Sequence, residues 1–194
     1  AWMAVVAANC CTPVPGMGGL ASQKTPKLWF TRHRFFGSPL RIVEAVIEVN
    51  DRRKKEMASK VIEACGGSLE GKTVAVLGLS FKPNTDDVRD APSLDIVPAL
   101  QKAGATVKAF DPEGMEDAKK VLKGIELCDN AYTAIEGADA LVIITEWNEF
   151  RALDLNRMKD LMNSPVMVDL RNIYNPDEMA AAGFSYTGVG RGAL

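Results

Sequence analysis

Two rhythms of apolar residues run through this chain after residue 37, and neither is present before it. From Pro39 to Cys65, Leu40, Val43, Val46, Ile47, Asn50, Met57 and Val61 recur at helical spacing, which predicts one long helix. Ser38 is a suitable N-cap, with Pro39 at the first helical position, and Gly66-Gly67 ends the pattern. From Lys72 onward, short and nearly all-apolar runs alternate with helical patterns. Strands are predicted at Thr73–Leu77, Thr106–Phe110, Ala140–Thr145, Val166–Asp169 and near Phe184–Thr187. Helices are predicted at Ser93–Ala103, Met115–Leu122, Ala131–Glu136 and Asp154–Met162. Ala1 to Phe36 follows neither rhythm. Pro13, Pro15 and Pro26 interrupt it, and aromatic and basic residues crowd its end at Trp29, Phe30, Arg32, His33, Arg34, Phe35 and Phe36.

Strands that are apolar on both faces and alternate with helices predict a parallel sheet covered on both sides. The fold class is therefore α/β, a Rossmann-like doubly wound sheet preceded by a long helix. The charged middle of that helix, Asp51 to Glu56, suits one that joins domains or pairs subunits, and equally an ordinary packing helix. In such a sheet, ligands gather beyond the C-terminal ends of the strands.

The strand ends carry the candidate chemistry. Val74 to Ser93 reads VAVLGLSFKPNTDDVRDAPS: a strand, a polar loop, then a helix whose N-terminus would favour an anion. Lys82 could hold a phosphate as a point charge and Arg89 as a bidentate fork. Alternatively, the loop pairs its own charges with Asp86, Asp87 and Asp90. G-x-G-x-x-G is absent, since the run is Gly78-Leu79-Ser80-Phe81, which argues against an ordinary dinucleotide fingerprint here. Asp111, after the second strand, could meet a ribose hydroxyl or serve as a turn residue. Glu146 could be a ligand, whereas Trp147 suits packing. Arg171 is placed for an anion, or for a salt bridge to Asp169.

Composition narrows the functional classes. A formal net charge of -2 over 194 residues gives no basic footprint for nucleic acid. No apolar run is long enough to span a bilayer, so no membrane partner is expected. Cys10, Cys11, Cys65 and Cys128 lack metal spacing and are expected to be reduced thiols in a cytoplasmic protein. With His33 as the single histidine, a His-based triad or a multi-His metal site is not expected, and neither is any metal. No nucleophile–base pair is visible. The residues by themselves describe a nucleotide-type binding domain with no catalytic residue.

The VAVLGLSFKPNTDDVRDAPS block closely resembles the loop that opens the C-terminal domain of the UDP-glucose/GDP-mannose dehydrogenase family. PLRIVEAVIEVNDRRK, AFDP, ADALVIITEW and VDLRN extend the resemblance from about Gly37 to Arg191. The resemblance implies a two-step oxidation of a nucleotide sugar's 6-hydroxyl to a carboxylate with two NAD. A cysteine carries the intermediate as thiohemiacetal and then thioester. It also implies an N-terminal NAD domain, a central helix that forms a homodimer, and a C-terminal domain that grips the nucleotide. By position, Phe81, Lys82 and Arg171 match family residues at the nucleotide sugar, and Arg89 matches one that reaches NAD. The domains implied are a segment 1–36, a dimerisation helix 37–67 and a UDP-sugar-binding domain 68–194. UDP-glucose is the expected substrate. GDP-mannose, a UDP-N-acetylhexosamine, or a silent nucleotide-binding or dimerisation module are the alternatives.

The family carries a GGSCFPKD-type segment before its helix, where this chain has Gly18-Gly19-Leu20-Ala21-Ser22-Gln23-Lys24-Thr25. Codons for Leu20 to Thr25 can be written so that the adjacent frame reads Cys-Phe-Pro-Lys-Asp, and the same frame continues family-like in both directions. Ala1 to about Phe36 is thus expected to be out of frame or disordered, the alternative being a divergent N-terminus. Neither Cys10 nor Cys11 stands in for the nucleophile. The chain by itself, without the NAD domain and the motif cysteine, is expected to be inactive.

Overall fold

The computed structural model describes residues 41–191. The expectations for Ala1–Phe36 and for the Ser38-Pro39 cap lie outside the described residues. The chain divides into two compact units, residues 1–49 and 50–194. The long helix α1 (Arg41–Ala64) runs through the division. In the first unit its described turns leave Ile42, Val46 and Val49 exposed. In the second unit Ala58 and Val61 of the same helix are buried. The helix ends as its glycines predict. Gly67 N–H donates to Ile62 O, and both glycines have positive φ, 85° at Gly66 and 90° at Gly67.

The second unit is the alternating βα region. Its elements are β1 (Thr73–Leu77), α2 (Ser93–Lys102), β2 (Thr106–Phe110), α3 (Met115–Val121), β3 (Ile125–Leu127), α4 (Ala131–Ile135), β4 (Ala140–Ile143), α5 (Asn148–Arg151), α6 (Leu155–Leu161), β5 (Val166–Asp169), α7 (Pro176–Ala181) and β6 (Ser185–Gly188). All pairings are parallel, in the order β3-β2-β1-β4-β5-β6. This is the doubly wound order, and the chain reverses direction across the sheet between β1 and β4. In register, Leu77 sits beside Phe110 on one side and Ile143 on the other, so three strands end level there.

Strand alternation divides the core into two layers. Val74, Val76, Val107, Ala109, Val142, Ile144 and Val168 face α2, α3 and the second half of α1. Ala75, Leu77, Leu141, Ile143 and Met167 face the helices α4 to α7. Burying each Val, Leu or Ile contributes about 1.5–3 kcal/mol, so this two-sided sheet is a rigid base for the loops at its strand ends.

Predicted and observed elements agree within a residue or two. The pattern did not announce β3, α5 and α7, which have 3, 4 and 6 residues. Among the described residues β3 is an edge strand paired only with β2. Elements this short carry too few periods to stand out.

Candidate functional site

The level ends of β1 and β4 are joined by a close backbone approach. A Cβ on Gly78 would lie 2.5 Å from Thr145 Cβ, and Gly78 has φ +92°. Only glycine allows the two strand ends to meet here. Thr145 Oγ1 donates to Ser80 O at 2.6 Å, and Ser93 Oγ donates to Leu79 O at 2.6 Å. The loop that follows is held by Phe81 N–H on Asp87 O and by Ala91 N–H on Val88 O. Asn84 (φ 61°) and Asp90 (φ 57°) make its left-handed turns, a conformation these residue types tolerate.

Asp111 is the hub behind this loop and is fully buried. Its carboxylate accepts from Leu79 N–H, Ser80 N–H, Ser80 O–H, Trp147 Nε1–H, Glu113 N–H and Gly114 N–H. The turn role was therefore the right expectation, and the carboxylate has no acceptor capacity left for a ribose. The sheet does not offer an ordinary dinucleotide cradle: the glycine fingerprint is absent and the acid after β2 is consumed. Trp147 is buried as packing, and its indole N–H is spent on Asp111.

The helix N-terminus is less open to an anion than the sequence suggested. Leu94 N–H is given to Ala91 O, and Asp95 and Ile96 N–H to Pro92 O. Asp95 also brings a negative charge into the first turn. Anion binding at this end therefore falls to side chains.

Three cations were expected there, and they differ. Arg89 is exposed and forked onto Asp87, with Nε 2.8 Å from Oδ1 and Nη2 2.7 Å from Oδ2. The hydrogen bond to Asp87, then its charge, raises the Arg89 pKa. The loop does pair its own charges at this point. Lys82 is exposed on the same loop. Arg171 is half-buried and lies against the loop's base. Its Nε–H donates to Ile144 O at 2.7 Å, and Nη2 approaches Phe81 O at 3.5 Å. The sequence pointed to Asp169 as its ion partner, but the observed partner is Glu146, with Oε2 3.0 Å from Nε. Asp169 is otherwise engaged, accepting from Arg171 N–H, Tyr174 N–H and Tyr186 O–H. Burial, then the Asp169 charge, pushes both tyrosine pKa values up.

Arg171 thus reaches the Phe81 carbonyl at one end of the sheet, with Lys82 the next residue of that loop and Arg89 further along it. Beside them, Asn84, Thr85, Asp86, Glu113 and Trp147 line an open depression of about 380 Å³. Sequence reasoning passed over Asn84, Thr85 and Glu113. Their one signal was position in the loops after β1 and β2. The two carboxylates in this depression, Asp86 and Glu113, disfavour a phosphate there by like-charge repulsion. Cys65 and Cys128 have thiol pKa values raised by burial, the opposite of an activated nucleophile. Among the described residues no group of His, Cys, Asp and Glu could hold a metal, and no helix is long and apolar enough to cross a membrane.

Comparison with known proteins agrees with this geometry. Residues 75–176 match the UDP binding domain of the UDP-glucose/GDP-mannose dehydrogenase family. A UDP-glucose 6-dehydrogenase of Rhizobium meliloti (strain 1021) is 52% identical over 177 residues, covering 91% of this chain and 40% of the relative. The UDP-glucose 6-dehydrogenase TuaD of Bacillus subtilis (strain 168) is 41% identical, covering 92% of this chain and 39% of TuaD. Among solved structures, a UDP-glucose dehydrogenase from Pyrobaculum islandicum superposes with a TM-score of 0.73 at 30% identity, covering 91% of this chain and 38% of its own. A UDP-D-ManNAc dehydrogenase from Pyrococcus horikoshii also gives 0.73, at 27% identity, covering all of this chain and 44% of its own. The chain spans about two-fifths of the length of the curated relatives it matches. With a family match across more than half its length and the sheet order and strand-end loop described above, the chain belongs to the UDP-glucose/GDP-mannose dehydrogenase family.

Proposed function

We propose that this chain is the nucleotide-sugar-gripping part of an NAD-dependent UDP-glucose 6-dehydrogenase, which oxidises UDP-glucose to UDP-glucuronate in two steps. One observation carries the reading: Arg171 reaches the Phe81 carbonyl beyond the C-terminal ends of β1 and β5, on the loop that also carries Lys82, in a domain matched to UDP binding. Lys82 and Arg171 would hold the diphosphate and Phe81 would flank the nucleotide. Arg89, on the outer part of the loop, would reach NAD held mainly by another domain, since this sheet lacks the dinucleotide cradle. The exposed stripe of Ile42, Val46 and Val49 supports pairing of α1 with its copy in a homodimer. A cytoplasmic setting and a role in polysaccharide precursor supply complete the reading.

A second reading keeps the chemistry and changes the sugar. It is supported by the equal fold likeness to the UDP-D-ManNAc dehydrogenase. Titration calorimetry with UDP tests what the two readings share. Charge-assisted bonds to phosphate are worth roughly 1.5–3 kcal/mol each. Lys82→Ala and Arg171→Ala should each weaken UDP binding by about tenfold or more. Measurable binding that neither substitution weakens would refute the site.

A further inference from the structure

Arg89 and Arg171 pair with carboxylates in different ways. Arg89 and Asp87 form a two-bonded fork. Arg171 faces Glu146 through Nε at 3.0 Å, yet the Nε–H bond goes to Ile144 O at 2.7 Å. Glu146 Oε2 therefore receives charge but no hydrogen bond. Among the described residues it is the buried side-chain oxygen left without a donor. A buried acceptor without a partner costs free energy, so such an atom calls for a reason.

The carbonyls of Ile144 and Phe81 already fasten the guanidinium in place, so Glu146 is not needed to aim it. What the carboxylate does is neutralise. A negative charge 3.0 Å from Arg171 lowers the attraction that an incoming phosphate feels, and the two anions repel each other across the same cation.

We propose that Glu146 is an internal counter-anion that sets how tightly Arg171 holds the phosphates of its ligand. The inference rests on the nucleotide reading above. In this role Glu146 keeps the site from binding its nucleotide too firmly and disfavours stray anions when the site is empty. It is a specificity-determining residue that works through Arg171.

The direction of the effect separates this role from a structural one. A residue needed only for shape weakens binding when it is changed, whereas a counter-anion strengthens binding when its charge is removed. UDP titrations on the full chain should therefore compare wild type with Glu146→Gln, Glu146→Ala, Arg171→Ala and the Glu146→Gln/Arg171→Ala double variant. Thermal melts establish that each is folded. Both Glu146 variants should bind UDP about two- to fivefold more tightly, the range of a partly exposed ion pair. Glu146→Ala carries the test if the glutamine variant does not fold. In the Arg171→Ala background Glu146→Gln should give no gain.

Binding no tighter than wild type in both Glu146 variants overturns the proposal, as does a gain that survives without Arg171. If Arg171→Ala weakens UDP binding while the Glu146 variants do not tighten it, the counter-anion role alone fails. Wild-type chain that binds no UDP, or binding indifferent to Arg171→Ala, brings down the nucleotide reading and this inference together.

Discussion

Two strand ends in this sheet each carry a buried aspartate, and they have been put to opposite uses. Asp111 follows β2 and Asp169 closes β5, and neither is exposed to solvent. Asp111 gathers donors from the loops after β1, β2 and β4, which seals that end of the sheet. Asp169 gathers donors from its own downstream loop and from β6. That arrangement leaves its neighbour Arg171 free to cross towards β1. A buried carboxylate at a strand end can thus either close a site or brace the residue beside it. The difference lies in which strands supply its donors.

The largest effect that could break this comparison comes from Asp111→Ala. It strands several buried donors at once and should cost roughly 3–5 kcal/mol in urea unfolding. A loss below about 1 kcal/mol would mean that water replaces the carboxylate. Asp169→Ala removes fewer donors and should cost roughly 2–3 kcal/mol. It should also weaken UDP binding, because the Arg171 backbone N–H loses its anchor. Stability loss without any change in UDP affinity would separate Asp169 from the site.

The tyrosines around Asp169 sharpen the contrast through pH. Folded Tyr174 and Tyr186 hold their protons above the ordinary phenol value, by burial first and the Asp169 charge second. The neutral forms are thus favoured in the folded state. This stability is complete below about pH 10 and is lost progressively as pH rises beyond it. Tyr186→Phe should flatten the alkaline fall in melting temperature, and an identical slope in the two proteins would contradict that assignment. The smallest effect belongs to Arg89→Ala. Its fork with Asp87 is solvent-exposed, so UDP affinity should stay within about twofold of wild type, in contrast to Arg171→Ala. A tenfold loss would move Arg89 into the nucleotide site.

The main elements of the sheet and of α1 were legible because long apolar runs and helical stripes leave little choice of partner. Phe81 and Lys82, within a distinctive block, and Arg171, just past β5, were also legible as strand-end residues. Three things were not. β3, α5 and α7 are too short to show a period. The partner of Arg171 could not be read, since Asp169 is close in sequence whereas Glu146 comes near only through the pairing of β4 with β5. The capacity of the first α2 turn to hold an anion was overestimated, because its amides are taken by Ala91 and Pro92 within the same loop.

The sequence by itself determined the alternation, the two-sided core and the family, because burial of apolar strands and a specific loop motif are properties of local order along the chain. Tertiary structure alone decided how each charge is spent. Asp111 is used up, Arg89 is turned onto Asp87, and Arg171 is shared between two carbonyls and Glu146. Ion pairs and hydrogen bonds depend on separations of a few ångströms between distant segments, and no spacing along the chain encodes those.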